Sequence, residues 1–230
     1  MTTLEAPLLI INCKHYGDTG ALASAIARAA VDVQAERRAA GKPKVTVAVA
    51  VPATEIHRTA SLGLIPILAE HLDGKGLGAS TGSVIAEDVL RNGGVGSLIN
   101  HSEDPYESTA LTEAVSKART HGLTSVVCAK DANKAHEYAK LKPDYIAMEP
   151  PELIGGDVSV STANPGLITD TIVSVRMVAD IPVLVGAGVK TSQDVKKAKE
   201  LGAAGVLVAS GVTKAADHRR AIAELAKGFD

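Results

Sequence analysis

The chain has 230 residues, of which 46% are hydrophobic and 22% are charged, a balance typical of a folded globular protein and not of a disordered one. Its net charge is −2 and no block of like charges occurs along it, so neither a nucleic acid nor an anionic membrane surface is an expected partner. No apolar run approaches the roughly 20 residues that span a bilayer, and no basic segment precedes the first apolar run, so we expect a cytoplasmic protein without a signal peptide.

Eight short apolar runs recur along the chain and alternate with longer amphipathic segments. The clearest helical segments are residues 20–40 and 104–121, where Ala, Glu, Lys and Arg recur at helical spacing. Helices are predicted to start at Pro52, Asp131 and Pro165 and to end at Gly41, Gly122 and Gly202. The runs read as strands are residues 8–13, 45–51, 65–68, 97–100, 125–129, 145–148, 182–185 and 205–208.

A strand followed by a helix, repeated, requires parallel strands joined by right-handed crossovers. Eight such units predict an α/β protein with a closed (β/α)₈ barrel, in which eight parallel strands are ringed by helices. An open doubly wound sheet is the alternative, but it usually has fewer strands and a Gly-rich turn after the first one. Here the first run ends in Asn12-Cys13-Lys14. No linker divides the chain, so we expect one barrel domain over residues 1–230.

Polar residues follow three of the predicted strands. Asn12 and Lys14 follow the first strand, His101 the fourth and Glu149 the sixth. In a closed barrel the strand ends meet on one face, where a cation, an imidazole and a carboxylate would form a set suited to proton transfer. Each residue alone is weak support, since a lysine at a strand end is more often a solvated cap. The other six histidines are interpreted as surface or packing residues: His15, His57, His71, His121, His136 and His218.

The segment after Glu149 combines a stiff start with a flexible tip. Pro150 and Pro151 restrict the backbone, and Gly155 and Gly156 follow a short apolar stretch. This pattern is that of a lid that could close over a substrate; a long surface loop is the other interpretation, and the residues leave both open.

Small residues end the last two strands. Gly186-Ala187-Gly188 follows the seventh strand, and Ala209-Ser210-Gly211 follows the eighth, just before a predicted helix. Such residues let backbone N–H groups approach a phosphate, and barrels often bind phosphate after strands seven and eight.

Four segments together resemble those of the triosephosphate isomerases. They are Ile11-Asn12-Cys13-Lys14, Gly78-Ala79-Ser80-Thr81-Gly82, Asn100-His101-Ser102-Glu103 and Glu149-Pro150-Pro151-Glu152-Leu153-Ile154-Gly155. They occur in the family's order from the first strand to the last. The short length and the last segment resemble the archaeal type in particular.

The resemblance implies a reaction and a role for each residue. The reaction would be the interconversion of D-glyceraldehyde 3-phosphate and dihydroxyacetone phosphate, in glycolysis and gluconeogenesis, without metal or organic cofactor. Glu149 would be the base and His101 the electrophile, a pairing that is an established example from this family and not a conclusion from these residues. Lys14 and Asn12 would hold the substrate beside Glu103. The backbones of Ile154 or Gly155, Gly188, Ala209 and Ser210 would bind the phosphate.

The resemblance also implies self-association, because the loop at Thr81 and Gly82 enters a neighbouring subunit in the family. We therefore expect a homodimer or a homotetramer. Two positions depart from the family: Gly156-Asp157 stands where Thr-Gly is usual, and Asp104-Pro105 stands where an Arg is usual. The first affects the energetics of lid closure, and the second removes a cation that could pair with a neighbouring carboxylate.

Three alternatives stay open. A sugar-phosphate epimerase would need metal ligands or paired Asp residues at strand ends, which we do not find. An aldolase would need a Schiff-base lysine in the later half, for which Lys130 is the candidate. A non-catalytic barrel that binds phosphometabolites would not need Lys14, His101 and Glu149 together. The cysteines, Cys13 and Cys128, lack metal-ligand spacing and are predicted to be buried free thiols.

Overall fold

A closed barrel of eight parallel strands forms the centre of the protein. The computed structural model describes residues 4–153 and 159–230, with the backbone alone at residue 152. The strands follow one another around the barrel in chain order, and β1 pairs with β8 to close it. They are β1 Leu8–Asn12, β2 Thr46–Val51, β3 Ile67–Ala69, β4 Gly96–Ile99, β5 Thr124–Ala129, β6 Tyr145–Met148, β7 Val183–Gly186 and β8 Gly205–Val208. The predicted (β/α)₈ TIM barrel is confirmed.

Helices cover the outside of the barrel. They are α1 Thr19–Ala39, α2 Ile56–Ala60, α3 Ala86–Arg91, α4 Ser108–Thr120, α5 Ala132–Ala139, α6 Val160–Ala163, α7 Pro165–Arg176, α8 Ser192–Glu200, α9 Ser210–Thr213 and α10 His218–Lys227, with 3₁₀ turns at Ala53–Glu55 and Pro151–Leu153. In the described ranges, no helix has the length and apolar content needed to cross a bilayer.

Most predicted helix ends match the structure. Asp131 caps α5 by accepting a hydrogen bond of 2.8 Å from the Lys134 N–H. Pro165 is the first residue of α7, where its missing N–H costs nothing. Gly122 follows α4 with φ +67°, a left-handed conformation that glycine adopts without strain.

Two predicted starts differ from the observed ones by two residues or more, whereas the bounds predicted for the other strands and for α1 agree to within one residue. Helix α4 begins at Ser108 and not at residue 104. Pro105 disfavours a helical backbone at Asp104, and the Asp104 N–H donates to the His101 carbonyl oxygen at 2.9 Å in a turn. Strand β3 is Ile67–Ala69 and not residues 65–68. The strand therefore ends one residue later than predicted, directly before Glu70.

The core has two layers, set by the alternation of side chains along each strand. Leu8 and Ile10 belong to the cluster inside the barrel, whereas Leu9 and Ile11 belong to the cluster between strands and helices. Leu68, Ala147 and Leu184 are further members of the inner cluster. Because side chains alternate, the residue two positions after each inner residue also points inward, and at the strand ends it lies at the mouth of the barrel. For β1, β3, β6 and β7 these residues are Asn12, Glu70, Glu149 and Gly186.

Candidate functional site

The residues that the strand ends predicted lie in one cavity at the mouth of the barrel. Asn12, Lys14, His101 and Glu149 line it together, although they come from three strands far apart in sequence. The small residues after β7 and β8 line the same cavity: Ala187, Gly188, Ala209, Ser210 and Gly211. The barrel thus brings the proton-transfer candidates and the phosphate-binding candidates together.

Asn12 shapes the backbone that carries Lys14. The buried Asn12 amide oxygen accepts a hydrogen bond of 3.1 Å from the Lys14 N–H, and Lys14 has φ +49°. A left-handed conformation is unfavourable for a lysine, so the Asn12 hydrogen bond helps to hold the turn. The Lys14 ammonium lies 2.6 Å from Glu103 Oε1, and its side chain is only 12% exposed.

Lys14 also acts on the charge of Glu103. Burial alone would raise the pKa of the Glu103 carboxyl, but the hydrogen bond and the charge of Lys14 hold that pKa below its usual value. Glu103 therefore lies beside the cavity as a carboxylate paired with Lys14.

His101 is held in one orientation by the backbone that follows it. Its Nδ1 accepts a hydrogen bond of 3.2 Å from the Glu103 N–H. An N–H donor requires a lone pair on Nδ1, so this contact favours the neutral imidazole with its proton on Nε2. Asn100, at φ +64°, supports the turn by accepting from the Tyr106 N–H at 2.9 Å and donating to the Cys128 carbonyl at 2.9 Å.

Glu149 points into the cavity from the end of β6. Its backbone N–H continues the ladder by donating to the Ala129 carbonyl at 2.9 Å. Its carboxylate is buried. The Oε2 atom lies 3.8 Å from His101 Nε2 and makes no hydrogen bond within the described part of the chain. Leaving a buried carboxylate oxygen unpaired is costly, so this group is positioned for something other than stability.

Gly186 makes room for the Glu149 carboxylate. A β-carbon on Gly186 would lie 2.3 Å from Glu149 Cγ and 2.7 Å from its Oε1. The sequence placed Gly186 with the phosphate-binding glycines. The structure gives it a different contact, with the side chain of Glu149.

The two cysteines are buried and free, as predicted. Burial raises the pKa of the Cys13 thiol to about 12. Burial also raises the pKa of Cys128, and the Glu149 carboxylate, which shares a hydrogen bond with this thiol, raises it further. Both side chains are therefore thiols and not thiolates near neutral pH.

The phosphate-binding candidates after β7 and β8 have the backbone that such a role needs. Ala187 and Gly188 have φ +79° and +72°, a left-handed pair, and Ser210 begins α9. Ser210 and Gly211 line the cavity, and the first N–H groups of a helix have no acceptor within it. The remaining candidates, Ile154 and Gly155, and the departure at Gly156-Asp157, lie outside the described residues.

Asp104, which replaces the family's usual Arg, has a partner of its own. Its Oδ2 lies 2.9 Å from His71 Nδ1, and the Tyr106 hydroxyl lies 3.0 Å from the same nitrogen. A histidine thus pairs with Asp104 beside the cavity. The interpretation of His71 as a surface or packing residue left out this contact.

Sequence reasoning missed several residues around the site. Tyr16, Val189 and Lys190 line the main cavity, and Glu70, His71 and His15 line an adjoining one that also contains Lys14 and His101. Glu70 had a detectable pattern, since it follows the apolar run of β3 as Glu149 follows that of β6. The misplaced end of β3 concealed it.

The alternatives find less support in this geometry. Lys130 is exposed and lines a neighbouring cavity that Glu149 also lines but that Lys14 and His101 do not, so it lies apart from the cation and the imidazole of the main cavity. Within residues 4–153 and 159–230, no group of three or more His, Cys, Asp or Glu residues could hold a metal ion.

Thr81 is exposed on its loop, as a contact with a second subunit would require.

Known proteins match nearly the whole chain. The family model described as triosephosphate isomerase matches residues 7–227. A triosephosphate isomerase of Cenarchaeum symbiosum (strain A) is 42% identical over 226 residues, which cover 98% of this chain and 99% of the relative. The triosephosphate isomerase of Methanocaldococcus jannaschii is 39% identical over 222 residues (96% and 99%), and that of Methanosarcina acetivorans is 37% identical over 224 residues (96% and 98%). The chain belongs to the triosephosphate isomerase family.

Proposed function

We propose that the protein is an aldose–ketose isomerase that interconverts D-glyceraldehyde 3-phosphate and dihydroxyacetone phosphate, with Glu149 as the base. The observation that carries the proposal is the buried pair of Glu149 and His101, whose Oε2 and Nε2 are 3.8 Å apart at the mouth of the barrel. This gap is too long for a hydrogen bond. A substrate carbon and its oxygen could lie beside both groups.

Glu149 removes a proton from the carbon next to the carbonyl and returns it to the neighbouring carbon. The base must reach both carbons, and its unpartnered Oε2 is free to do so among the described residues. The carbonyl carbon of one isomer becomes the hydroxyl-bearing carbon of the other, and the hydroxyl proton moves from one substrate oxygen to the other at the enediolate stage. The reaction therefore has no net gain or loss of electrons or protons.

His101 stabilises the enediolate that forms between the two proton transfers. Negative charge develops on the substrate oxygens, and a donor aimed at that charge lowers the barrier. The Glu103 N–H on Nδ1 favours a proton on Nε2, which can then donate to those oxygens.

Lys14 and Asn12 bind the substrate beside this pair. The Lys14 ammonium offsets the charge of a phosphate dianion, and Asn12 holds the turn from which Lys14 extends. Glu103 limits the directions that the Lys14 side chain can take. The N–H groups of Gly188, Ala209 and Ser210, with those of Ile154 or Gly155, bind the phosphate.

Loop closure after Glu149 would exclude water and retain the enediolate, which could otherwise eliminate phosphate. Asp157 near a bound phosphate is unfavourable unless its side chain points outward. We expect closure to occur with altered energetics.

We further propose that the chain is one domain and that it works as a homodimer or homotetramer in the cytoplasm, in glycolysis and gluconeogenesis. The exposed loop with Thr81 and with Leu77, which is 64% exposed, supports assembly. By the family resemblance, this loop would contact a neighbouring subunit, where the Leu77 side chain would be buried.

A direct assay tests the proposal. Purified protein should interconvert the two triose phosphates without added metal, and Glu149→Ala should remove most turnover while the far-ultraviolet circular dichroism stays unchanged. Normal turnover in Glu149→Ala would refute the role of Glu149 as base. A wild-type protein that binds a phosphate analogue without turnover would instead be a binding protein.

A further inference from the structure

Glu70 is a partly buried carboxyl group to which the mechanism above gives no role. It continues the inward row of β3 after Leu68, and its N–H donates to the Val51 carbonyl at 3.0 Å. Its side chain lines the cavity that adjoins the main site, together with Lys14, His101 and Glu103. Glu70 therefore belongs to the same layer at the barrel mouth as Asn12 and Glu149.

One oxygen of Glu70 has no polar partner. Its Oε1 is buried and makes no hydrogen bond with residues 4–153 or 159–230. A charged carboxylate in that position loses its hydration without compensation, whereas the protonated form loses much less. The burial of this oxygen thus favours the neutral acid.

The groups that face Glu70 from the end of β1 are Cys13, Lys14 and His15. The backbone N–H and the charge of Lys14 lower the pKa of Glu70. The negative charge of Glu70 in turn raises the pKa of the Cys13 thiol. His15 lines the same cavity. Lys14 is the one fixed positive charge among these three groups.

The groups that face Glu70 from the end of β4 add negative charge. Glu103 already pairs with Lys14 at 2.6 Å, and Asp104 pairs with His71, the neighbour of Glu70. His101 lines the cavity with its Nδ1 as an acceptor. A charged Glu70 would therefore place two carboxylates around Lys14 and leave an excess negative charge. A phosphate dianion that binds beside Lys14 would be repelled by that excess.

We propose that Glu70 is a positioning residue for Lys14 that works in its protonated form, so that binding of a phosphate dianion beside Lys14 is accompanied by uptake of one proton from solvent. The proton goes to the Glu70 carboxylate, and no other bond forms or breaks. The inference rests on the proposed function only through the charge of the ligand.

The charge of free Glu70 sets the pH range in which this uptake is measurable. Burial and, to a smaller extent, the charge of Glu103 raise the pKa of Glu70 to about 7. Below this pH the Glu70 carboxyl is already protonated, so binding of the phosphate dianion is accompanied by little proton uptake. At pH 8 most molecules are charged, so binding must bring in close to one proton per site.

Calorimetry with glycerol 3-phosphate at pH 8, in two buffers of different ionisation enthalpy, measures the proton uptake. This ligand carries a phosphate dianion without the carboxylate that would itself disturb Glu149. We expect about one proton per site in the wild type, the same in the control Glu55→Gln, and almost none in Glu70→Gln. Glu55 is a suitable control because its buried Oε2 also makes no hydrogen bond, although Arg58 lies 3.7 Å from it, away from the cavity.

Steady-state kinetics separates positioning from a structural role. The wild-type KM should rise about fivefold between pH 7 and pH 8, with little change in kcat, whereas the KM of Glu70→Gln should stay flat. Glu70→Asp, which can still titrate, should restore the rise. Absence of proton uptake in the wild type, or equal uptake in Glu70→Gln, would overturn the inference. If Glu70→Gln does not fold, the wild-type and Glu70→Asp measurements still decide.

The two proposals fail in different ways. An active isomerase without proton uptake refutes the role of Glu70 alone. A protein that takes up a proton with glycerol 3-phosphate but does not convert triose phosphates refutes the proposed function and supports the role of Glu70.

Discussion

Glu149 and Gly186 face each other at the ends of neighbouring strands, and the carboxylate occupies the space that a side chain on Gly186 would fill. A β-carbon there would lie 2.3 Å from Glu149 Cγ, far inside van der Waals contact. The end of β7 therefore determines where the candidate base can lie.

Gly186→Ala should displace the Glu149 carboxylate while the barrel stays folded. Gly186 is in a strand and its φ lies outside the left-handed region, so alanine fits its backbone and the clash falls on the side chain. A displacement of about 1 Å costs on the order of 100-fold in rate. We expect kcat to fall by about that factor, measured with both triose phosphates.

Gly166→Ala is the matched control for this substitution. Gly166 lies in α7, where an added β-carbon meets only Asn164 Oδ1 at 3.6 Å. This variant should keep full activity. Equal loss in both variants would show that the contact between Gly186 and Glu149 does not matter.

Lys14 and Glu103 form one ion pair but should differ in importance. Lys14→Met removes the cation that binds the phosphate, and charge-assisted hydrogen bonds contribute about 1.5–3 kcal/mol, so KM should rise about 10- to 100-fold. Glu103 is 60% exposed, so Glu103→Gln should change kcat/KM by less than about fivefold. A larger effect of Glu103→Gln than of Lys14→Met would contradict these roles.

How much the sequence could predict depended on how each residue acts. Eight alternating units sufficed for the barrel, because strand and helix periods are local properties. Asn12, Lys14, His101 and Glu149 were identifiable because they follow apolar runs whose ends are clear. Glu70 was missed because β3 has only three residues and its end was placed one residue early.

Contacts between distant segments were beyond the sequence. The steric relation of Gly186 to Glu149 depends on the register of β6 against β7, in which Ala147 pairs with Leu184. The pairing of His71 with Asp104 likewise needs the three-dimensional arrangement of two loops. The phosphate-binding roles of Ile154 and Gly155 stay predictions.

Leu77→Asp should dissociate the proposed assembly. Leu77 is 64% exposed on the loop that carries Thr81, and a charge buried in an interface is strongly unfavourable. Sedimentation velocity should give a monomer, with activity at least about tenfold lower if that loop supports a neighbour's site.

Gln193→Asp is the control for assembly. Gln193 is an exposed polar residue of α8, so its substitution adds the same charge outside the loop of Thr81. It should leave the sedimentation coefficient unchanged. A fully active wild-type monomer would refute the role of the Thr81 loop.

Glu70 should make the stability of the protein depend on pH. Burial raises its folded-state pKa from 4.5 to about 7, so the folded state binds more protons than the unfolded state between these values. The free energy of unfolding that Glu70 contributes therefore falls as the pH rises from 5 to 8.

Glu70→Gln removes this dependence because glutamine does not ionise. The free energy of unfolding of Glu70→Gln, measured relative to the wild type, should increase by about 2 kcal/mol from pH 5 to pH 8, after allowance for partial exposure. The Tm difference between Glu70→Gln and the wild type should therefore change by about 4–8 °C between pH 5 and pH 8. An identical Tm difference at both pH values would contradict the raised pKa.

Proton transfer through an enediolate is the central claim, and isotope exchange with solvent tests it most directly. The proton held by Glu149 in the intermediate can exchange with solvent before it returns to carbon. When D-glyceraldehyde 3-phosphate is converted in D₂O, nuclear magnetic resonance should therefore detect dihydroxyacetone phosphate with deuterium on carbon, and Glu149→Ala should form neither product nor label at a comparable rate. Retention of every carbon-bound hydrogen through many turnovers at equilibrium would mean that no exchangeable proton is held between the two carbons, and would contradict the account.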